Sequence, residues 1–259
     1  MIKIIITALG LFLMTTPALA VAAVGSPYVS SNLGFDVTFS TRYFPAESFG
    51  FAIVGVTGGK AFVDNKRLSA GYAWTQFASH TAATVYMNLN APYGSTVEGH
   101  VGSPKACSGT KTGAEPTACQ GYNYGYQAAD HSYRYAQERG VQSALWWLDI
   151  EEANSWSKDT AVNAATIQGA IDYLNTKSIR VGIYSMPRMW RTIAGSGFIP
   201  AQKIAGQDVL IPVWLPVGVK SQVGAINTCV TGKSFIAGSP IWIVQYEASS
   251  TAIDQNIAC

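Results

Sequence analysis

The residues best placed to do chemistry are three carboxylates ending one apolar run, Leu145-Trp146-Trp147-Leu148-Asp149-Ile150-Glu151-Glu152. Side chains at i and i+2 of a strand share a face, which sets Asp149 and Glu151 about 6 to 7 Å apart along the strand, with Trp147 beside them and Glu152 opposite. Two carboxylates so close, next to an indole, resist double ionisation, and the one in the drier setting keeps its proton to higher pH. Such a pair suits general acid catalysis. A third carboxylate, Asp36, stands in Gly34-Phe35-Asp36-Val37-Thr38 among apolar or small neighbours. A buried Asp requires a partner or a task, so the alternative to a catalytic Asp36 is an ion pair with Arg42 or Arg180.

Other chemistries lack their motifs. Gly55-Val56-Thr57-Gly58-Gly59-Lys60-Ala61 has the flavour of a phosphate loop but is one residue short, with Ala61 where a hydroxyl is required. The chain contains no G-x-S-x-G elbow and no H-E-x-x-H. His80, His100 and His131 are scattered and no cysteine pair has C-x-x-C spacing, so neither a metal nor another cofactor is implied. Lys and Arg number 17 against 15 Asp and Glu, with no basic cluster to line a row of phosphates, and nucleic acid is not an expected partner. What remains is acid-base chemistry on a neutral polymer, of which glycoside hydrolysis is the commonest case.

Sugar rings present apolar faces that stack on aromatic side chains. Trp147, Trp156, Tyr184, Trp190, Trp214 and Tyr246 all fall at or just after expected strand ends and are the candidate sugar contacts, although each type also serves as core. Trp156 and Trp190 come first because they fall in expected loops.

The elements that must position these groups follow a β-α rhythm. Runs rich in β-branched and aromatic residues at Phe35 to Phe39, Phe51 to Val56, Thr84 to Leu89, Ala144 to Asp149, Arg180 to Ser185, Val209 to Leu215 and Ile241 to Tyr246 read as strands, and a weaker run, Ser234 to Ala237, would make eight. Ala164, Ile167, Ile171 and Leu174 form one helical face behind an Asp159 cap. A second helix, about Gln127 to Arg139, stops at Gly140. The fold class expected is α/β, a modified TIM-type barrel in one domain spanning residues 34–259. In such a barrel the first and fourth strands face each other across the mouth, which would bring Asp36 to the pair at 149 and 151. Between Pro92 and Gly121, 16 of 30 residues are Gly, Ser, Thr or Pro, so this stretch reads as a loop insertion after the third strand, over the mouth or beside it.

The N-terminus reads as an export signal. Lys3 precedes an apolar run from Ile4 to Met14, and Ala18-Leu19-Ala20 offers a cleavage site after Ala20, leaving residues 21–33 as a linker. An uncleaved anchor reaching Val24 is the rival, but Thr15, Thr16 and Pro17 interrupt it. A secreted or periplasmic monomer with no integral membrane span in the mature chain is expected. In that setting Cys107, Cys119, Cys229 and Cys259 favour disulfides; of three possible pairings, Cys107 with Cys119 and Cys229 with Cys259 is preferred, clipping the insertion and tying down the last residue.

This set of residues resembles the glycoside hydrolase family 25 lysozymes, whose modified β/α barrel cleaves the bond from muramic acid to glucosamine in peptidoglycan. Gly34-Phe35-Asp36-Val37-Thr38 is similar to that family's opening Gly-x-Asp-x-Ser, and Asp149-Ile150-Glu151 to its Asp-x-Glu. Gly182-Ile183-Tyr184-Ser185 looks like its fifth strand; Trp242, Gln245 and Tyr246, then Asp254 and Asn256, look like its closing strand and the Asp-x-Asn after it. The resemblance implies Glu151 as general acid, Asp149 as its partner, and Asp36 and Asp254 as supporting carboxylates lining a groove. Asp149 and Glu151 share one strand and so do not flank a sugar as nucleophile and acid must, which favours attack by the substrate's own N-acetyl group, with inversion through a water held by Asp36 as the competing route. Two features depart from the family: Val85-Tyr86-Met87-Asn88-Leu89-Asn90 replaces an aromatic and histidine cluster, and the Gln after the opening Asp is missing near Thr41 to Tyr43. The whole pattern looks closer still to secreted bacterial proteins with an uncharacterised glycoside-hydrolase-like domain. A non-catalytic glycan- or cell-wall-binding protein on the same barrel is the alternative function.

Overall fold

A computed structural model describes residues 25–92, 100–108, 115–247 and 253–259. The expected signal peptide at 1–20, and residues 93–99 and 109–114 of the insertion, lie outside the described residues. A first strand, four strand-helix pairs and a mixed closing part give, in order, β1 (Leu33–Val37), β2 (Phe51–Gly55), α1 (Leu68–Thr75), β3 (Thr84–Asn88), α2 (Ala118–Glu138), β4 (Leu145–Asp149), α3 (Thr160–Thr176), β5 (Arg180–Tyr184), α4 (Pro187–Ile193), β6 (Gln202–Ile204), β7 (Gln207–Val209), β8 (Val213–Val217), α5 (Gln222–Thr231), β9 (Ile241–Tyr246) and β10 (Gln255–Ala258). The strands close into a barrel in the order β1-β10-β9-β8-β5-β4-β3-β2, while β6 and β7 form a separate hairpin. All barrel neighbours run parallel except β10, which is antiparallel to both β1 and β9. This is the expected α/β barrel in a modified form.

The strand that completes the barrel is not the expected one. Ser234 to Ala237 forms no strand; Ile236 is tucked into the core and the chain turns back at Gly238 with φ +77°. The closing role falls to β10, which reads as a polar tail because Gln255 and Asn256 interrupt its apolar residues. The expected strand from Val209 to Leu215 is also divided, since Pro212 has no N–H to give a ladder; Val209 ends β7 and β8 starts at Val213.

The barrel interior is filled by aromatic rings that lie over glycines of the adjacent strand. A Cβ on Gly34 would come 2.4 Å from the Phe51 ring, one on Gly55 2.6 Å from Tyr86, and one on Gly182 2.3 Å from Trp147. Tyr28, in the segment expected to be only a linker, plugs the opposite end from the mouth: its hydroxyl meets Thr84 Oγ1 at 2.9 Å and accepts the Trp147 indole N–H at 3.0 Å.

Outside the barrel, α2 and α3 meet at backbone distance. A Cβ on Gly125 would lie 1.8 Å from the Thr166 carbonyl oxygen, and one on Gly169 2.0 Å from that of Tyr122. The helix expected from Gln127 therefore begins nine residues earlier, inside the stretch read as an insertion, because Thr117 and Gln120 form a reciprocal capping box and Gly121 continues the close-approach face. It ends as expected, with Gly140 at φ +68°. Asp159 caps α3 by accepting from the Ala161 N–H at 2.9 Å. The disulfides are Cys107–Cys119 and Cys229–Cys259, the preferred pairing. Among the described residues, no helix is long and apolar enough to cross a membrane.

Candidate active site

The C-terminal ends of β1, β4, β5 and β9, with the start of β10, bring the carboxylates to one mouth. Asp36 is buried at the end of β1, and its Oδ1 accepts two amide hydrogens, from Asn256 Nδ2 at 2.7 Å and Gln245 Nε2 at 3.0 Å. Amides, rather than Arg42 or Arg180, therefore meet this carboxylate. The amides are themselves held: Tyr184 donates to Gln245 Oε1 at 2.8 Å, and the Trp214 indole N–H donates to Asn256 Oδ1 at 2.8 Å. Each amide oxygen is thus occupied by a donor, leaving its NH2 to face Asp36.

Asp149 closes β4 in a buried setting, whereas Glu151 lies two residues beyond, past the strand end, and is partly exposed. The turn at Glu151 is pinned through its carbonyl, which accepts from the Trp156 indole at 2.8 Å and from the Asn154 N–H at 3.2 Å. Glu152 points elsewhere and pairs with Arg188 at 2.7 Å. Asp254, just before β10, sits on the exposed rim, and its carbonyl accepts from the Asp36 N–H at 3.4 Å.

Burial and mutual repulsion act on the four acids together. Burial first, then the charge of Asp254, push Asp36 up to about 7 against the donors that stabilise its anion. Asp149 is raised well above the ordinary carboxylate range by burial, then by Glu151 and Asp36. Glu151 is raised by burial and by Asp254, and Asp254 by burial and by Glu247. The Tyr86 and Tyr184 hydroxyls feel all four carboxylates, which push both phenols further above their ordinary value after burial has done so. Asp149 is the drier member of the pair, so burial disfavours its anion more than that of the partly exposed Glu151.

The aromatic candidates separate on burial. Trp147 is wholly enclosed within the barrel, below the carboxylates, and Trp214 is buried beside it, 5.8 Å between ring centroids. Trp190 lies in α4 rather than in a loop and packs on Phe198 and Phe235. Tyr246 is buried against the α5 side, its hydroxyl donating to Gln255. All four fill cores: Trp147 and Trp214 pack the barrel interior, and Trp190 and Tyr246 pack between the barrel and the elements outside it. Tyr184 and Trp156 keep partial exposure near the acids.

Two polar residues at the site carry no signal as isolated types. Asn88, at the end of β3, is directly opposite Asp149 in register and donates its Nδ2 to Asp149 Oδ2. Thr57 in turn donates to Asn88 Oδ1 at 2.7 Å and accepts from the Asn88 backbone N–H at 2.8 Å. Counting alternate residues along β3 from Thr84 through Tyr86 would have marked Asn88 as inward. Among the described residues, no three His, Cys, Asp or Glu side chains stand together so as to hold a metal ion.

Residues 109–205 match the family model described as Lysozyme-like protein 1. No curated protein matches the chain. Among solved structures, the spore cortex lytic enzyme SleM of Clostridium perfringens is similar, at 13% identity and a TM-score of 0.53, covering 88% of this chain and 67% of that one. The multimodular pneumococcal cell wall endolysin from phage Cp-1 matches at 14% identity and TM-score 0.49, and the glycosyl hydrolase 25 virulence factor GHIP of Streptococcus pneumoniae at 14% and 0.48. The match covers 89% of this chain and spans 55% of the phage Cp-1 endolysin, and covers 88% of this chain against 86% of GHIP. Residues 109–205 are thus similar to a lysozyme-like family model, and the barrel shares its fold with the spore cortex lytic enzyme.

Proposed function

We propose that the chain is an exported glycoside hydrolase that cleaves peptidoglycan or a related N-acetylated glycan at the mouth formed by Asp36, Asp149, Glu151 and Asp254. The observation that carries this reading is the meeting of four acids from three distant parts of the sequence around Tyr86 and Tyr184, each acid raised above its ordinary range. A structural cluster would pair its charges; this one leaves them crowded and partly neutral, which is the condition for delivering a proton at neutral pH. The lysozyme-like segment and the barrel shared with a cortex lytic enzyme support the substrate class. The two disulfides suit an oxidising, extracytoplasmic setting.

In the mechanism this geometry favours, Glu151 is the acid. It is the more exposed of the pair, so it reaches the glycosidic oxygen, and a bound sugar that excludes water raises it further toward protonation. Asp149, fixed by Asn88, orients the N-acetyl group for attack on the anomeric carbon. The bond to the leaving oxygen breaks as Glu151 gives up its proton, and water later opens the resulting ring, returning a proton to Glu151. Asp36 and Asp254 set the local charge. Tyr184 and Trp156 are the aromatic surfaces left for a sugar ring.

The test is the release of reducing ends from purified peptidoglycan and from chitin oligomers by the mature protein and its Glu151→Gln variant. Release that vanishes in the variant supports a glycosidase with Glu151 as acid. Retention of the folded protein on either polymer without any release would instead make it a glycan-binding protein on a hydrolase barrel.

A further inference from the structure

Thr57 and Asn88 form a buried pair whose hydrogen bonds leave one arrangement. The Thr57 hydroxyl has a single hydrogen; it accepts from the Asn88 backbone N–H at 2.8 Å and gives that hydrogen to Asn88 Oδ1 at 2.7 Å. With Oδ1 taken, the Asn88 NH2 faces Asp149 and donates to Oδ2. Asp149 Oδ1, by contrast, is buried with no hydrogen-bond partner among the described residues. A buried carboxylate oxygen left bare costs free energy unless something arrives to use it. Thr57, Asn88 and Asp149 are all at least nine-tenths buried.

We infer that Thr57 and Asn88 are positioning residues for Asp149: the Thr57 hydroxyl sets which end of the Asn88 amide meets the carboxylate, Asn88 anchors Oδ2, and Oδ1 is thereby reserved for the N-acetyl N–H of a bound sugar. The inference rests on the proposed glycosidase reading for its ligand, but the relay itself is a property of the free protein. Its effect opposes the surroundings. Burial, Glu151 on the same segment and Asp36 on β1 all disfavour the Asp149 anion, and Tyr86 on β3 and Tyr184 on β5 face the same cluster without positive charge. A fixed N–H donor is the feature here that favours the anion, and an anion draws the N-acetyl hydrogen toward Oδ1 more strongly than a neutral carboxyl does.

The same arrangement gives the Thr of the short Gly-rich stretch after β2 a structural place. Gly58 and Gly59 let that loop fold back, Gly59 at φ +89°, so that Thr57 reaches the end of β3.

The experiment is a carboxyl-carbon NMR titration of the free mature protein, with the Asp149 signal assigned by its loss in Asp149→Asn, on Thr57→Val, Thr57→Ser and Asn88→Leu. Loss of the Asn88 donor in Asn88→Leu, or of the hydroxyl that orients it in Thr57→Val, is expected to move the Asp149 titration up by roughly one pH unit, and Thr57→Ser, which keeps the hydroxyl, is expected to titrate as the unaltered chain does. Thr57→Val is close to isosteric, so it decides the matter even if Asn88→Leu does not fold. An Asp149 titration that is the same in Thr57→Val, Thr57→Ser and the unaltered chain overturns the relay. If the titration moves but neither peptidoglycan nor chitin oligomers are cut, the relay stands and the glycosidase reading fails. If both hold, the low-pH limb of the cleavage profile shifts up with the titration in Thr57→Val and returns in Thr57→Ser.

Discussion

Asn256, three residues from the C-terminus, donates its side-chain amide to Asp36 Oδ1 at 2.7 Å, so the last barrel strand supplies one of the two hydrogen bonds that hold the carboxylate of the first. The contact joins residues 220 apart in sequence and closes the barrel at the level of its acids.

Because Asp36 titrates at about 7 in the folded chain and near its ordinary 3.8 when unfolded, the folded state binds the extra proton between those values. Stability from this group is therefore greatest below about pH 4 and is lost as pH rises to about 7, and the raised values of Asp149, Glu151 and Asp254 act with the same sign. Asp36→Asn keeps an oxygen for the two amides and removes the charge. It is expected to stabilise the protein at pH 8 by on the order of 2 to 4 kcal/mol and much less at pH 4, measured by urea unfolding at the two pH values.

Burial raises Glu151 first, and the negative charge of Asp254 raises it further. In Asp254→Asn the Glu151 proton is lost at lower pH, and the high-pH limb of glycan cleavage is expected to move down. A limb that stays in place in kcat/KM against pH would separate Asp254 from the acid.

Glu151→Gln is expected to lower cleavage about 10²- to 10⁴-fold, the usual worth of a positioned acid, without loss of thermal stability. If the N-acetyl group is the attacking group, chitin oligomers stripped of their acetyl groups will bind but resist cleavage. Equal cleavage of acetylated and deacetylated oligomers would point to inversion through a water at Asp36.

Gly182 and Gly125 have no room for a methyl group. A Cβ on the first meets the Trp147 ring at 2.3 Å and on the second the Thr166 carbonyl at 1.8 Å. Gly182→Ala is expected to cost about 1 to 3 kcal/mol by overpacking the barrel, and Gly125→Ala at least as much, because a backbone oxygen cannot rotate away. Denaturant midpoints of the two variants measure this.

The Cys229–Cys259 bridge ties α5 to the residue after β10. Opening a 30-residue loop by Cys229→Ser with Cys259→Ser is expected to cost about 3 to 4 kcal/mol on the chain-entropy estimate. The loss should be accompanied by weaker glycan binding, since β10 carries Asn256.

Where a property depends on local pattern, the sequence alone determined it. The β-α rhythm, the Asp159 cap, the stop at Gly140 and the carboxylates after an apolar strand follow from periodicity and residue type, and they led to the barrel and to Asp36, Asp149 and Glu151 at its mouth. Cysteine spacing led to the disulfide pairing. The tertiary structure decided what depends on closing the barrel. β10 is a strand only because β1 and β9 offer it two open edges, and a polar tail gives no local sign of that. Trp147, Trp190, Trp214 and Tyr246 became core rather than sugar contacts because neighbouring chain, remote in sequence, covers them. Asn88 and Thr57 acquired their place because parallel pairing of β3 with β4 sets Asn88 opposite Asp149. Register between strands is a nonlocal quantity, fixed by packing on both faces of the sheet, and no single segment contains it.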